Sequence, residues 1–272
     1  MFRKLLYPLI CSVVLVSCFE KETDEEDPQP LADCRISSSV AVGGHFSPLA
    51  TQYEYNEQNQ LVKIKITGDT VNWITQFTYN EQGQLSSAND GTYLYEYEYN
   101  AQGQLIKQTR SIPRLPDRRE SEVYLHTYNS AGQLIETTVH PATEPTAIPY
   151  RFKFDYTNGV NTHIEKTTYA YDGSVPNSPP FFVEDITIAY DGKKNLLPAS
   201  PLNQYYRTMI YAPAPNWHAG NVTSYKIVRR STGAVVDSYT VAYTYNAQGV
   251  PTEAIRTSGN QSVTHNYSYI CD

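Results

Sequence analysis

The chain has 272 residues, 40% of them hydrophobic and 18% charged, with 21 Lys and Arg against 28 Asp and Glu and a formal net charge of −7. A mean hydropathy of −0.49 excludes a bundle of apolar membrane helices, and the apolar share excludes a wholly disordered chain. The acidic balance also argues against a nucleic-acid partner, since a phosphate backbone requires a concentrated basic surface. Tyrosine supplies 24 of the aromatic residues, against 8 Phe and 2 Trp. It suits the pleated, half-buried surface of a sheet better than a helix, so an all-β fold is expected.

In chain order, residues 1–17 read as a signal peptide. Met1-Phe2-Arg3-Lys4 is a basic start and Leu5 to Val16 is an apolar run, too short for a spanning helix, which needs about 20 residues. The run ends in Leu15-Val16-Ser17-Cys18, which resembles the bacterial lipobox. The resemblance implies cleavage before Cys18 and lipidation of that cysteine, and Phe19 rather than an aspartate after it implies the outer membrane. Several acyl chains make a lasting anchor where one would be marginal. Residues 18–33 read as a solvated tether: Glu20 to Asp27 hold six acids, one lysine and no apolar side chain. Cys18-Phe19-Glu20-Lys21-Glu22 is similar to the surface-export signal of Bacteroidetes lipoproteins, which implies display on the cell surface. A plain spacer is the alternative.

Residues 34–272 read as one domain. Its two cysteines, Cys34 and Cys271, stand at its ends, and an even pair in an oxidising compartment implies a disulfide. Neither has a second ligand at metal spacing.

The body is a repeat. Tyr53-Glu54-Tyr55-Asn56-Glu57-Gln58-Asn59-Gln60-Leu61 returns as Phe77 to Leu85, Tyr97 to Leu105 and His126 to Leu134, and again from Tyr243 to Gly249. Asp155 to Gly159, Tyr171-Asp172-Gly173 and Tyr190-Asp191-Gly192 read as worn copies. Asn56, Asn80, Asn100, Asn129 and Asn246 can bond their own backbone at the start of a turn. Gly83, Gly103, Gly132 and Gly249 supply the positive φ of a type I turn closing through a bulge. Asn59 stands in for the glycine in the first copy, and asparagine tolerates that region well. This places Tyr55 opposite Leu61, Tyr79 opposite Leu85 and Tyr99 opposite Leu105 on one face, the expected core. Tyr93, Tyr95, Tyr97 and Tyr99 continue that face, with Glu96 and Glu98 on the wet one. About ten such units would give an antiparallel meander of about 16 to 20 strands, curled into one large sheet or an open barrel to hide its apolar face. The unit resembles the YD repeat of Rhs-type bacterial proteins, and the resemblance implies the hairpin architecture. The units are too few for a toxin-enclosing shell. A membrane-spanning barrel is the structural rival, opposed by charges on both strand faces.

No catalytic pattern emerges. His45, His126, His140, His163, His218 and His265 are scattered, the Asp-Gly pairs at 90, 172 and 191 read as turns, and no nucleophile elbow occurs. Neither a cofactor nor a metal is expected, and the chain is not expected to be an enzyme. Departures from the repeat are Pro-rich, at Ile112 to Pro116, His140 to Pro149, Val175 to Phe182, Leu197 to Pro201 and Ala212 to Trp217. Long connections on a rigid sheet are where binding sites concentrate, so Phe181, Phe182 and Trp217 are the candidate binding aromatics. The function expected is a non-catalytic, surface-exposed outer-membrane lipoprotein presenting loops to a glycan or to an envelope or host protein. A periplasm-facing structural or carrier lipoprotein is the alternative, and a carboxylate-based hydrolase a third reading.

Overall fold

The computed structural model describes residues 34–44, 46–112, 122–143, 147–169, 180–193 and 220–271. The signal segment, Cys18, the tether, Trp217 and the copy at Tyr171-Asp172-Gly173 lie outside the described residues. The strands are β1 (Cys34–Gly43), β2 (Phe46–Tyr55), β3 (Leu61–Thr67), β4 (Asn72–Tyr79), β5 (Leu85–Asn89), β6 (Leu94–Tyr99), β7 (Leu105–Ser111) and β8 (Glu122–Tyr128). They continue with β9 (Leu134–Pro141), β10 (Tyr150–Thr157), β11 (Val160–Tyr169), β12 (Pro180–Tyr190), β13 (Val222–Arg229), β14 (Ala234–Tyr245), β15 (Pro251–Ser258) and β16 (Gln261–Cys271).

Each strand pairs antiparallel with the next, and β16 pairs with β1, so the meander closes into a barrel of 16 strands. Closure removes both sheet edges, whose unpaired backbone would otherwise invite aggregation. The seam runs from Cys34 opposite Cys271 to Gly43 opposite Val263, with one register shift between Ile36 and Ser38, and the Cys34–Cys271 disulfide forms at its Cys34 end. The expected bridge is therefore present. The expected all-β antiparallel meander is present, its 16 strands within the expected range of about 16 to 20, and it closes fully rather than remaining an open sheet or open barrel.

The repeat turns carry one hydrogen-bond set. The Asn56 amide donates to the Gln60 carbonyl (2.9 Å) and the Asn59 amide to the Asn56 carbonyl (3.0 Å). Asn56 Oδ1 accepts from the Gln58 and Gln60 amides, while its Nδ2 donates to Gln60 Oε1 (2.9 Å). Asn80, Asn100 and Asn129 repeat these bonds, and Asn246 keeps the backbone part with Val250 in the place of the glutamine. Asn59 takes φ 59° and Gly83 φ 75°, as the bulged turn requires. Successive turns also touch: Gln60 Nε2 donates to the Gly83 carbonyl (3.2 Å), and a Cβ on Gly83 would lie 3.3 Å from that nitrogen. The copy at Asp155 to Gly159 departs from this pattern. There Asn158 (φ 52°) and Gly159 (φ 79°) form a tight two-residue hairpin turn.

A register shift immediately precedes the tyrosine before each of these repeat turns and sets Tyr55 opposite Leu61, Tyr79 opposite Leu85, Tyr99 opposite Leu105 and Tyr128 opposite Leu134. These rings lie along the inner wall. Each hydroxyl donates to a carbonyl on the preceding strand: Tyr55 to Ile36, Tyr79 to Leu61, Tyr99 to Leu85, Tyr128 to Leu105 and Tyr156 to Leu134, at 2.7–2.9 Å. Tyr243 to Val222 and Tyr269 to Pro251 extend the series. Shingled in this way, the tyrosines help to cover the leucines. One buried cluster gathers Leu61, Ile64, Phe77, Leu85, Tyr95, Tyr97 and Leu105, and a second gathers Leu134, Val139, Phe152, Phe154, Ile164, Ile186 and Ile188.

Opening the disulfide by replacing both cysteines with serine should lower stability by about 2–4 kcal/mol, read as a drop in thermal midpoint that added reductant reproduces in the native chain. Gly83→Ala should cost about 1–2 kcal/mol, because a side chain is forced into the left-handed region. Asn59→Gly, at the equivalent position, should be close to neutral in the same denaturant titration.

Candidate functional site

The repeat turns and both chain ends of the barrel share one rim, here the turn rim. The connections between β7 and β8, β9 and β10, and β11 and β12 leave the opposite, far rim.

The outer wall carries ion pairs on β2–β3, β6–β7 and β9 to β13. Glu54 pairs with Lys63 (2.9 Å), Glu98 with Lys107 (2.6 Å) and Arg151 with Glu136 (3.7 Å). On β10 to β13 the chain of partners runs from Asp155 through His163, Asp185 and Arg230 to Glu165. A wall facing lipid carries an apolar band about 25 Å tall and excludes such charges at mid-depth; here charged pairs share the wall with exposed Ile74, Ile106, Leu125 and Ile255. Glu96 and Glu98 point outward, and Glu98 is neutralised by Lys107. The two carboxylates on His163 meet opposite ring nitrogens, 2.7 and 3.1 Å away, so they do not converge on one point. Among the described residues no group of three acids, histidines or cysteines could hold a metal.

Toward the far rim the inner wall changes character. Four cations lie over aromatic rings, each pair on adjoining strand segments: Arg110 over Tyr93 (4.8 Å), Lys166 over Tyr150 (5.9 Å), Arg229 over Phe182 (4.4 Å) and Arg256 over Tyr239 (4.1 Å). Alternation places these cations inward, since Arg110 pairs with buried Tyr95, Lys166 with Phe152 and Arg229 with Glu184. Arg256 stands two residues beyond buried Ala254 on the same face. Three of the cations have carboxylates. Arg110 meets Glu122 (3.0 Å), and Glu184, only 3% exposed, is held between Lys166 (3.0 Å) and Arg229 (3.2 Å). So deep an acid needs both partners to offset its desolvation.

Of the candidate aromatics, Phe182 is the ring beneath Arg229 and so belongs to this inner wall, whereas Phe181 is 73% exposed. The two rings tilt against each other at 5.4 Å. The inner residues of the far rim lie on separate strands at unrelated sequence spacings. The legible signal was a cation two residues from a strand's inward apolar positions, as Lys166 is from Ile164.

The inner wall is not equally covered all round. Side chains on β3 to β12 fill the two clusters, but Tyr225, Tyr239, His265 and Tyr267 on β13 to β16 are only half-buried, and Arg256 is exposed. A barrel this wide is not filled by its own side chains. Tyr225 and Tyr239 stack at 5.1 Å with planes 17° apart, and His265 stacks on Tyr267 at 6.3 Å and 11°. Burial pushes the Tyr225 and Tyr239 hydroxyls up from the ordinary phenol range and Tyr267 up to about 12. Burial, aided by the Arg256 charge, moves His265 down.

The worn copy at Tyr190-Asp191-Gly192 proves to be a repeat turn with an insertion. The Asp191 amide donates to the Asn221 carbonyl (3.0 Å), and Asp191 Oδ1 accepts from the Lys193 and Asn221 amides (both 2.9 Å). These are the bonds made by Asn56, with residues 192–220 in the place of 57–59. Tyr245 leaves the carbonyl series to donate to Asp191. Burial alone would raise the Asp191 carboxyl, but the bonds from Tyr245, Lys193 and Asn221 outweigh it and hold the group low.

No family model matches the chain, and no curated protein matches it. Among solved structures, a porin-like protein from Bacteroides uniformis is similar over 86% of this chain and 98% of its own, with a TM-score of 0.56 and 14% identity. A porin-like protein from Bacteroides vulgatus gives the same TM-score at 8% identity, covering 87% of this chain and 98% of its own. The shared feature is the fold: this chain is a closed antiparallel β-barrel of that general form. The Photorhabdus luminescens Tc holotoxin pore matches at a TM-score of only 0.27, over 12% of its length.

The buried phenols set an alkaline limit. Their folded-state pKa values lie above the unfolded value near 10, so the unfolded chain loses protons first. Stability should hold up to about pH 10 and fall as pH rises toward 12. Absorbance of tyrosinate should therefore appear late and together with loss of β-sheet circular dichroism; early, reversible ionisation without unfolding would contradict it.

Proposed function

We propose that the chain is a non-catalytic outer-membrane lipoprotein, anchored through Cys18 and displayed at the cell surface, whose barrel offers its far rim to a glycan or a protein. The observation that carries this reading is the placement of the two ends. The chain enters the barrel at Cys34 on the turn rim, so a lipid at Cys18 holds that rim toward the membrane. The strand ends that bear the connections between β7 and β8, β9 and β10, and β11 and β12, together with the cation-aromatic wall, then face away from it, whereas the insertion at 192–220 leaves the turn rim. The charged outer wall supports a barrel standing in water on a tether over one crossing the bilayer. The likeness to two porin-like Bacteroides proteins is in keeping with an envelope address. The same placement would serve a periplasm-facing carrier, and only the compartment separates the two.

Protease shaving of intact cells, followed by a blot for the barrel, tests the compartment. The native protein should be lost, whereas a variant with residues 19–27 replaced by neutral ones should survive. Survival of both, with a surface control lost and a periplasmic control intact, would replace surface display by the periplasm-facing role.

A further inference from the structure

The seven tyrosines of the carbonyl series use their hydroxyls to join strands. Tyr225, Tyr239 and Tyr267 do not. Their hydroxyls have no hydrogen-bond partner among the described residues, and none is sealed from solvent. Tyr225 and Tyr239 share the β13 to β15 wall with Arg256, the one of the four far-rim cations for which no carboxylate lies within ion-pair distance among the described residues. The Asp237 charge acts on both phenols but makes no ion pair with Arg256. The other three cations of the ring are matched by acids of the chain itself.

We propose that Arg256, with the hydroxyls of Tyr225 and Tyr239, forms a binding site for an acidic saccharide on the inner wall of β13 to β15. This rests on the glycan-binding reading above and names the ligand class. Arg256 supplies a planar, always-charged fork that meets a carboxylate with two parallel bonds, and its position over Tyr239 fixes the fork's plane. The stacked rings of Tyr225 and Tyr239 hold two phenols side by side. Because these groups stay protonated at neutral pH, they donate to sugar hydroxyls and ring oxygens. His265, diagonal to Arg256 across the β15 to β16 register, adds a further polar edge. A neutral ligand would leave the guanidinium unpaired, and a flat apolar one would leave the phenols unpaired. An acidic sugar satisfies both.

The test is calorimetric titration of the full chain, purified in detergent, with tetragalacturonate and with neutral tetragalactose, at low and high salt. Tetragalacturonate should bind and weaken with salt, and neutral tetragalactose should bind at least tenfold more weakly. Arg256→Gln should reduce tetragalacturonate binding at least tenfold with an unchanged thermal midpoint, Arg256→Lys should recover part of it, and Tyr239→Phe should lose several-fold. Lys63→Gln, on the outer wall, should bind as the native chain does. Equal binding by Arg256→Gln, or equal binding of the two saccharides, overturns the acidic site while leaving the glycan reading intact. Failure of both saccharides and of a wider neutral-glycan panel to bind the native chain overturns both.

Discussion

The barrel depends on one repeated contact, a tyrosine hydroxyl bonded to a carbonyl of the preceding strand. Each such bond is worth only about 1 kcal/mol net, but its geometric effect is larger. A phenol pointed at the axis of a wide barrel would leave the leucines on the neighbouring strand wet. Laid along the wall, it helps to cover Leu61, Leu85, Leu105 and Leu134, each under 9% exposed. The bulge beside each turn is what brings tyrosine and leucine to the same face, so turn chemistry and core burial have a common origin.

Inter-hairpin bonds of this kind also explain why the units are not interchangeable with isolated hairpins, which are marginal in water. Each unit completes its neighbour: Tyr79 is satisfied by Leu61 of the hairpin before, and Gln60 reaches the glycine of the hairpin after. A chain of such units has two unsatisfied ends, and here those ends meet. β1 gives Tyr55 its acceptor at Ile36, and the β1 to β16 seam sets Cys34 against Cys271, so the disulfide fixes a closure that the repeat has already made favourable.

The division of labour around the wall follows from the same economy. Near the turn rim the tyrosines are consumed by structure. Toward the far rim they are covered by cations instead, and three of those cations are balanced by acids. What is left uncommitted, on β13 to β16, is therefore a small and specific set rather than a general property of a tyrosine-rich sheet. The insertion between Asp191 and Asn221 shows that the scaffold accepts a long excursion without losing its turn, because the bonds that define the turn come from its first and last residues.

Much of this was legible in the chain itself. Local chemistry determined the turns: an asparagine that bonds its own backbone, a glycine or Asn59 for positive φ, and a tyrosine and leucine set face to face by the bulge. The two cysteines at the ends of the domain implied their bridge. The worn copies misled where local residues allow two answers, as at Asn158-Gly159, which makes a shorter turn than its neighbours. Whether the meander would close was not legible, because closure depends on accumulated twist and stagger over all 16 strands rather than on any one of them. Nor could the sequence place Arg256, Tyr239 and Tyr225 together, or show which tyrosines would keep free hydroxyls. Those relations join residues on three strands through register, and register between hairpins is settled only when the whole wall is assembled.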